Sequence, residues 1–143
     1  MVENELPIGE PLLAIVIQED KTFTTSELCL DHIEFIFATQ TLTLTPIVDT
    51  DEIELTITET SNVDLCDRQE CSPEFGRWII GKPFQTLWHC ENSQGYQDQI
   101  ILAFGTLQPS LSILAEGSVL KVFQYQTIDR SVLNDSSKAL TYA

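Results

Sequence analysis

The chain has 143 residues, 43% of them hydrophobic, which fits one ordinary domain with a core of its own. Its 22 acidic residues outweigh 7 basic ones for a net charge of −15, a field that repels phosphates and anionic headgroups and so argues against nucleic-acid and membrane partners. No run approaches the ~20 apolar residues that span a bilayer, and the acidic start Met1-Val2-Glu3-Asn4-Glu5 does not read as a secretory signal, so a cytoplasmic location is expected.

Along the chain, Ile8-Gly9-Glu10-Pro11 punctuates the approach to a first strand over about 11–18, and strands follow over about 32–38, 41–48 and 52–58. Thr41-Leu42-Thr43-Leu44-Thr45 and Glu52-Ile53-Glu54-Leu55-Thr56-Ile57-Thr58 alternate cleanly, which predicts one buried and one wet face. A polar connector over about 59–79 follows, with one short helical turn expected near residues 64–70. Ile80-Gly81-Lys82-Pro83 then opens a second set of strands, over about 83–90, 99–105, 109–115 and 118–125. A tail over about 127–143 reads as a loose segment or short helix.

The two sets are copies of one unit. Ile8-Gly9-x-Pro11 recurs 72 residues later as Ile80-Gly81-x-Pro83. Asp31, Ile33, Phe37 and Thr39 recur 67 residues later as Asp98, Ile100, Phe104 and Thr106, and Leu44 with Leu111 extends that match. The drop from 72 to 67 places five extra residues in the loop between the first two strands of copy one. Asp49-Thr50-Asp51 and Glu116-Gly117-Ser118 read as equivalent hairpin turns. A four-stranded sheet with one apolar face needs a partner. The expected fold is therefore mainly β and internally duplicated, with about eight antiparallel strands in two four-stranded halves forming a sandwich or barrel. It is one domain over 1–143, with repeat one at about 8–58 and repeat two at about 80–126. Ile33, Phe35, Phe37, Ile100, Leu102 and Phe104 should line its core.

Residues suited to chemistry are few. Cys66 and Cys71 with His89 or Cys90 could in principle bind zinc, but one loose pair lacks the paired short knuckles of structural zinc sites. No metal or cofactor is expected, and whether Cys66 and Cys71 are paired, free or metal-bound stays open. Cys29 and Cys90 read as small buried hydrophobes. His32 aligns with Gln99, and His89 with Ile17, so the shared frame requires neither histidine. Asp31 and Asp98 are kept in both copies; an Asp just before a strand can accept loop backbone N–H bonds, and a carboxylate pair across the two copies is the enzymatic alternative. Trp88, Asn92, Tyr96 and Asp98 outline a possible binding rim around a turn in which Gly95 can adopt positive φ.

The spacing Trp88-x3-Asn92-x2-Gly95-Tyr96-x-Asp98 resembles a motif of uncharacterised small acidic bacterial proteins, some of them similar to immunity proteins of toxin systems. That resemblance covers about residues 88–104; it implies an interaction protein and no catalytic residues.

The charge distribution points the same way. Residues 1–74 hold 17 acidic and two basic residues, whereas residues 75–143 hold five of each. Asp49, Asp51, Glu52 and Glu54 crowd one hairpin end, and alternation predicts that Glu52 and Glu54 face solvent. The leading expectation is a non-enzymatic acidic interaction protein, immunity-like, whose partner is a protein with a basic surface; a homodimer stays open. The alternative is a small-molecule or metal-binding β-barrel.

Overall fold

The computed structural model of the chain describes residues 6–20, 28–60 and 72–125. It is mainly β: eight antiparallel strands form one curled sheet, and among the described residues a 3-10 helix, Glu74–Ile79, lies between the fourth and fifth. The strands are β1 (Ala14–Glu19), β2 (Leu30–Ile36), β3 (Gln40–Ile47), β4 (Glu52–Glu59), β5 (Phe84–Cys90), β6 (Gln99–Phe104), β7 (Leu111–Glu116) and β8 (Val119–Gln124). Among the described residues no helix is long and apolar enough to cross a membrane. The expected helical turn near 64–70, Cys66, Cys71 and the tail lie outside the described residues.

Each half is the same antiparallel meander. β1 pairs with β2, β2 with β3 and β3 with β4; β5 pairs with β6, β6 with β7 and β7 with β8. The halves join at the centre of the repeat relation, where Pro11 meets its counterpart Pro83, and at two further places that the repeat exchanges with each other. Pro11 faces Pro83 in an isolated antiparallel bridge. Neither proline has an N–H, so the flanking residues carry the bonds. The Gly9 N–H donates to the Phe84 carbonyl at 2.8 Å and the Gly81 N–H to the Leu12 carbonyl at 2.7 Å. Phe84 N–H donates to Glu10 at 2.9 Å and Leu12 N–H to Lys82 at 3.0 Å. Shifting by 72 residues exchanges the members of each pair of bonds. Gly9 and Gly81 share φ = 88°, a left-handed value that costs glycine little.

The second junction brings Leu30 of β2 opposite Leu120 of β8. Its twin is the Ile53 N–H, which donates to the Gln97 carbonyl at 2.9 Å.

The core follows from the alternation. Ile15, Phe35, Leu42 and Ile57 share one inward row across β1–β4, and Ile17, Ile33, Leu44 and Leu55 the next. The six expected core residues are all buried. Phe37, Phe84 and Phe104 form a triangle of rings with centroids 5.5–6.3 Å apart, and Phe35 reaches Phe104 at 6.1 Å. Such spacings suit tilted and offset ring packing.

Two details depart from the sequence reading. Ile33 pairs with Leu44, but its counterpart Ile100 pairs with Ile113, so Ile113 rather than Leu111 is the partner of Leu44 in the repeat. The β3–β4 turn holds residues 48–51, whereas β7 and β8 are joined by Gly117 and Ser118 alone. The two turns therefore differ in length, and equivalence survives at their last residues, Asp51 (φ 55°) and Ser118 (φ 70°), both left-handed.

The 3-10 helix closes one side of the fold. Pro73 precedes it, where a fixed φ and a missing donor are tolerated. The Ile15 N–H of β1 donates to the Ser72 hydroxyl at 3.1 Å, and Gly76 packs on the Ile15 side chain with no space for a Cβ. The Trp78 indole donates to Gln124 of β8 at 3.1 Å, and Lys82 Nζ sits 5.1 Å from its ring centre. Residues 72–79 thus bridge β1 and β8.

Candidate functional site

The acidic β3–β4 hairpin and the loop between β5 and β6 were expected as two separate sites; the fold brings them together. Glu52 Oε2 accepts the Gln97 N–H at 3.0 Å, beside the Ile53–Gln97 backbone bond. Glu52 Oε1 accepts the Thr50 hydroxyl at 2.9 Å. The Gln97 N–H and then the Thr50 hydroxyl hold the Glu52 carboxyl below its usual range; partial burial opposes them, and nearby His89 adds to the lowering. Asp51 Oδ1 accepts the Ser118 N–H at 3.1 Å. The expectation of four mutually repelling carboxylates turned to solvent is therefore corrected. Asp51 and Glu52 bind the second half of the molecule, while Asp49 and Glu54 are exposed.

The rim loop satisfies itself. Asn92 Oδ1 accepts the N–H groups of Gln94 and Tyr96 at 2.8 and 3.1 Å, and the Asn92 N–H donates to the Tyr96 carbonyl at 2.8 Å. Gly95 takes φ = 87° at the turn. The Asn92 amide donates to Asp98 Oδ2 at 3.3 Å. Asn92 is thus an organiser of the turn rather than a free ligand. Trp88 and Tyr96 each keep about two-fifths of their surface exposed, at 39% and 40%.

The expected backbone-binding role of the two repeated aspartates is also corrected, since Asp98 binds the Asn92 side chain. In copy one the residue equivalent to Asn92 is Asp20, and its N–H donates to the Cys29 carbonyl as that of Asn92 does to Tyr96. Asp31 therefore lies beside a carboxyl instead of an amide. Lost hydration, then the Asp20 charge and a hydrogen bond with Asp20, hold the Asp31 carboxyl above its usual range; His32 works against them. Each repeated aspartate thus has its side-chain neighbour within its own half. Cys29 and Cys90 are free thiols, Cys29 buried and Cys90 partly so. Among the described residues no three His, Cys, Asp or Glu side chains are placed to hold a metal ion.

The outer faces of the halves differ sharply. Val16, Glu34, Thr43 and Thr56 form one row across β1–β4, and the equivalent row across β5–β8 is Trp88, Ile101, Ser112 and Phe123. β1–β4 contain no Lys or Arg. Among the described residues the carboxylates of Glu34, Asp49, Glu54 and Glu59 have no side-chain hydrogen bond or ion pair, whereas Glu116 of the second half pairs with Lys121 at 2.7 Å. Sequence reasoning passed over Glu34 and Glu59 because neither belongs to the acidic cluster; their places in strands without any base were the available signal.

Residues 1–129 match the family of unknown function DUF6334. The chain belongs to that family. DUF6334 therefore covers both meanders and the hairpin–loop junction between them. Comparison with curated proteins and with solved structures gives no match.

Proposed function

We propose that this DUF6334 protein is a non-enzymatic, immunity-like interaction protein whose first half engages a basic surface on another protein. One observation carries the reading: among the described residues the strands of the first half hold Glu34, Glu54 and Glu59, whose carboxylates have no hydrogen bond or ion pair, and contain no Lys or Arg. Uncompensated carboxylates concentrated on one half of the molecule raise the encounter rate with a cationic partner and repel anionic ones. The equivalent face of the second half is neutral and partly apolar, so the repeated frame does not require the charge. Self-repulsion is a cost that binding would relieve. The reading needs no cofactor and places the protein in the cytoplasm.

Capture from the cell of origin at low and high salt tests it. A basic protein should be retained at low salt and released at high salt. Retention that is indifferent to salt, or a neutral or acidic partner, would count against the reading.

A further inference from the structure

The outer faces of the two halves are equivalent in the repeat and opposite in chemistry. Where β1–β4 place Val16, Glu34, Thr43 and Thr56 in one row, β5–β8 place Trp88, Ile101, Ser112 and Phe123. In the next row Thr45 and Glu54 give way to Leu114 and Lys121. The first half folds without apolar side chains at these places, so the shared frame has no need of them. Trp88 and Phe123 nevertheless stand 39% and 49% exposed on one face of one sheet. An apolar patch of this kind on a folded domain marks a contact surface.

The polar groups of this face are satisfied within it. Gln99 Nε2 donates to the Ser112 hydroxyl at 2.6 Å, and Ser112 is fully buried. β5–β8 contain no acid but Glu116 and no Lys or Arg but Lys121, and these two pair at 2.7 Å. Covering the face therefore leaves no charge alone. Its shape suits a flat contact. The outer side of a curled sheet is convex, so its flanks fall away; here the large rings stand on the flanking strands β5 and β8, with the small Ser112 between them on β7. Charge selects the occupant. Residues 1–74 hold 17 acidic and two basic residues, and residues 75–143 hold five of each. A basic partner is drawn to the first half, and an anionic one is repelled by it. A second copy meets least repulsion when second half faces second half and the two acidic halves stay apart.

We propose that the outer face of β5–β8 is the interface of a homodimer, with its two-fold axis parallel to the strands and between β6 and β7. That operation lays β5 on the partner's β8, so Trp88 meets the partner's Phe123 and Ile101 meets the partner's Ser112. Four strands at a spacing of ~4.8 Å, each rising ~3.3 Å per residue, give a face of about 400 Å² in plan. A stable interface covers about 800 Å² on each partner, so this dimer is weak, with a dissociation constant of about 100 μM at physiological salt. The inference is independent of the proposed function.

Sedimentation equilibrium of the full chain, with NMR over a concentration series, tests it. A monomer–dimer equilibrium should appear, and signals of Trp88, Ile101, Leu114 and Phe123 should move with concentration. Raising NaCl from about 50 to about 500 mM should tighten the dimer about tenfold, because screening weakens the repulsion between the acidic halves. The basic partner of the proposed function is released by the same change, so the two readings have opposite salt dependence. Trp88→Val and Phe123→Thr each copy the residue that the first half carries at the equivalent place, Val16 and Thr56. Each should weaken the dimer about tenfold with the fold intact. Glu34→Gln, Asp49→Asn, Glu54→Gln and Glu59→Gln together should tighten it about threefold at low salt, a gain that misfolding cannot imitate. A chain still monomeric at about 1 mM in high salt would overturn the inference. So would concentration-dependent shifts centred elsewhere, growth beyond a dimer, or association that salt weakens. A Trp88 indole shielded from a soluble paramagnetic probe in dilute protein would overturn it too, since the chain's own termini would then cover the face.

Discussion

Asp51 and Ser118 are the same residue of the repeat, and they touch: the Ser118 N–H donates to Asp51 Oδ1 at 3.1 Å across 67 residues of chain. Both sit in the left-handed region, at φ 55° and 70°. The contact ties the tips of the two equivalent hairpins. Asp51→Ala removes the acceptor and leaves a β-carbon without a local hydrogen bond in a left-handed position, so it should cost about 1–2 kcal/mol in urea denaturation. Asp51→Asn keeps an acceptor and tolerates the conformation, and it should cost less. Equal losses for the two would show that charge, not the bond, matters here.

The ring cluster is the second test. Phe37 and Phe104 occupy equivalent places and are 0% and 2% exposed. Phe37→Ala and Phe104→Ala should each cost about 3–5 kcal/mol, read from urea midpoints. Because the rings touch, with centroids 6.3 Å apart, the double substitution should be less than additive. Simple addition would mean that the two rings act independently.

How far the sequence reaches is clearest at β3 and β7. Alternation in Thr41-Leu42-Thr43-Leu44 located the strand and its buried face correctly. It did not reveal that Leu44 corresponds to Ile113, because a slip of two residues keeps every side chain on its own face. The junctions were hidden for another reason: Glu52 finds Gln97 only once the halves dock, and no local pattern encodes that contact. Asp51 and Ser118 did carry a signal, as polar residues at the same repeat offset directly before a strand. Pro73 was likewise a readable start for the 3-10 helix.

Asp20 and Asp31 offer a titration test built on the repeat. Copy two holds Asn92 and Asp98 in the equivalent places, with the amide donating to the carboxylate. Asp20→Asn should therefore lower the midpoint of Asp31 toward or below the ordinary range, measured by NMR of its carboxyl carbon. In the natural chain the raised value stabilises the fold at low pH, and that contribution is lost as pH rises through the folded midpoint. An unchanged Asp31 midpoint would show that lost hydration alone sets it.

Glu52 has the opposite sign. Its carboxyl lies below the usual range because the Gln97 N–H and Thr50 hydroxyl favour the charged form. Its contribution is present above the midpoint of the unfolded chain and disappears as pH falls through the lower folded midpoint. Glu52→Gln should flatten that acid-side loss without changing its counterpart at Asp31. A stability profile with the same acid slope in both proteins would remove Glu52 from the list of groups that join the halves.

The central claim concerns charge on the first half, and the structure identifies which carboxylates can test it cleanly. Asp51 and Glu52 are occupied by backbone donors, so replacing them confounds binding with stability. The carboxylates of Glu34, Asp49, Glu54 and Glu59 have no side-chain hydrogen bond or ion pair among the described residues. The decisive measurement is the association rate of the captured partner across ionic strength, for the natural chain and for one carrying Glu34→Gln, Asp49→Asn, Glu54→Gln and Glu59→Gln. The account predicts association about tenfold slower for the substituted chain at low salt, rates that converge at high salt, and unchanged folding stability. Identical association rates at every ionic strength would contradict it, and the acidic charge of the first half would then serve only to keep the protein in solution.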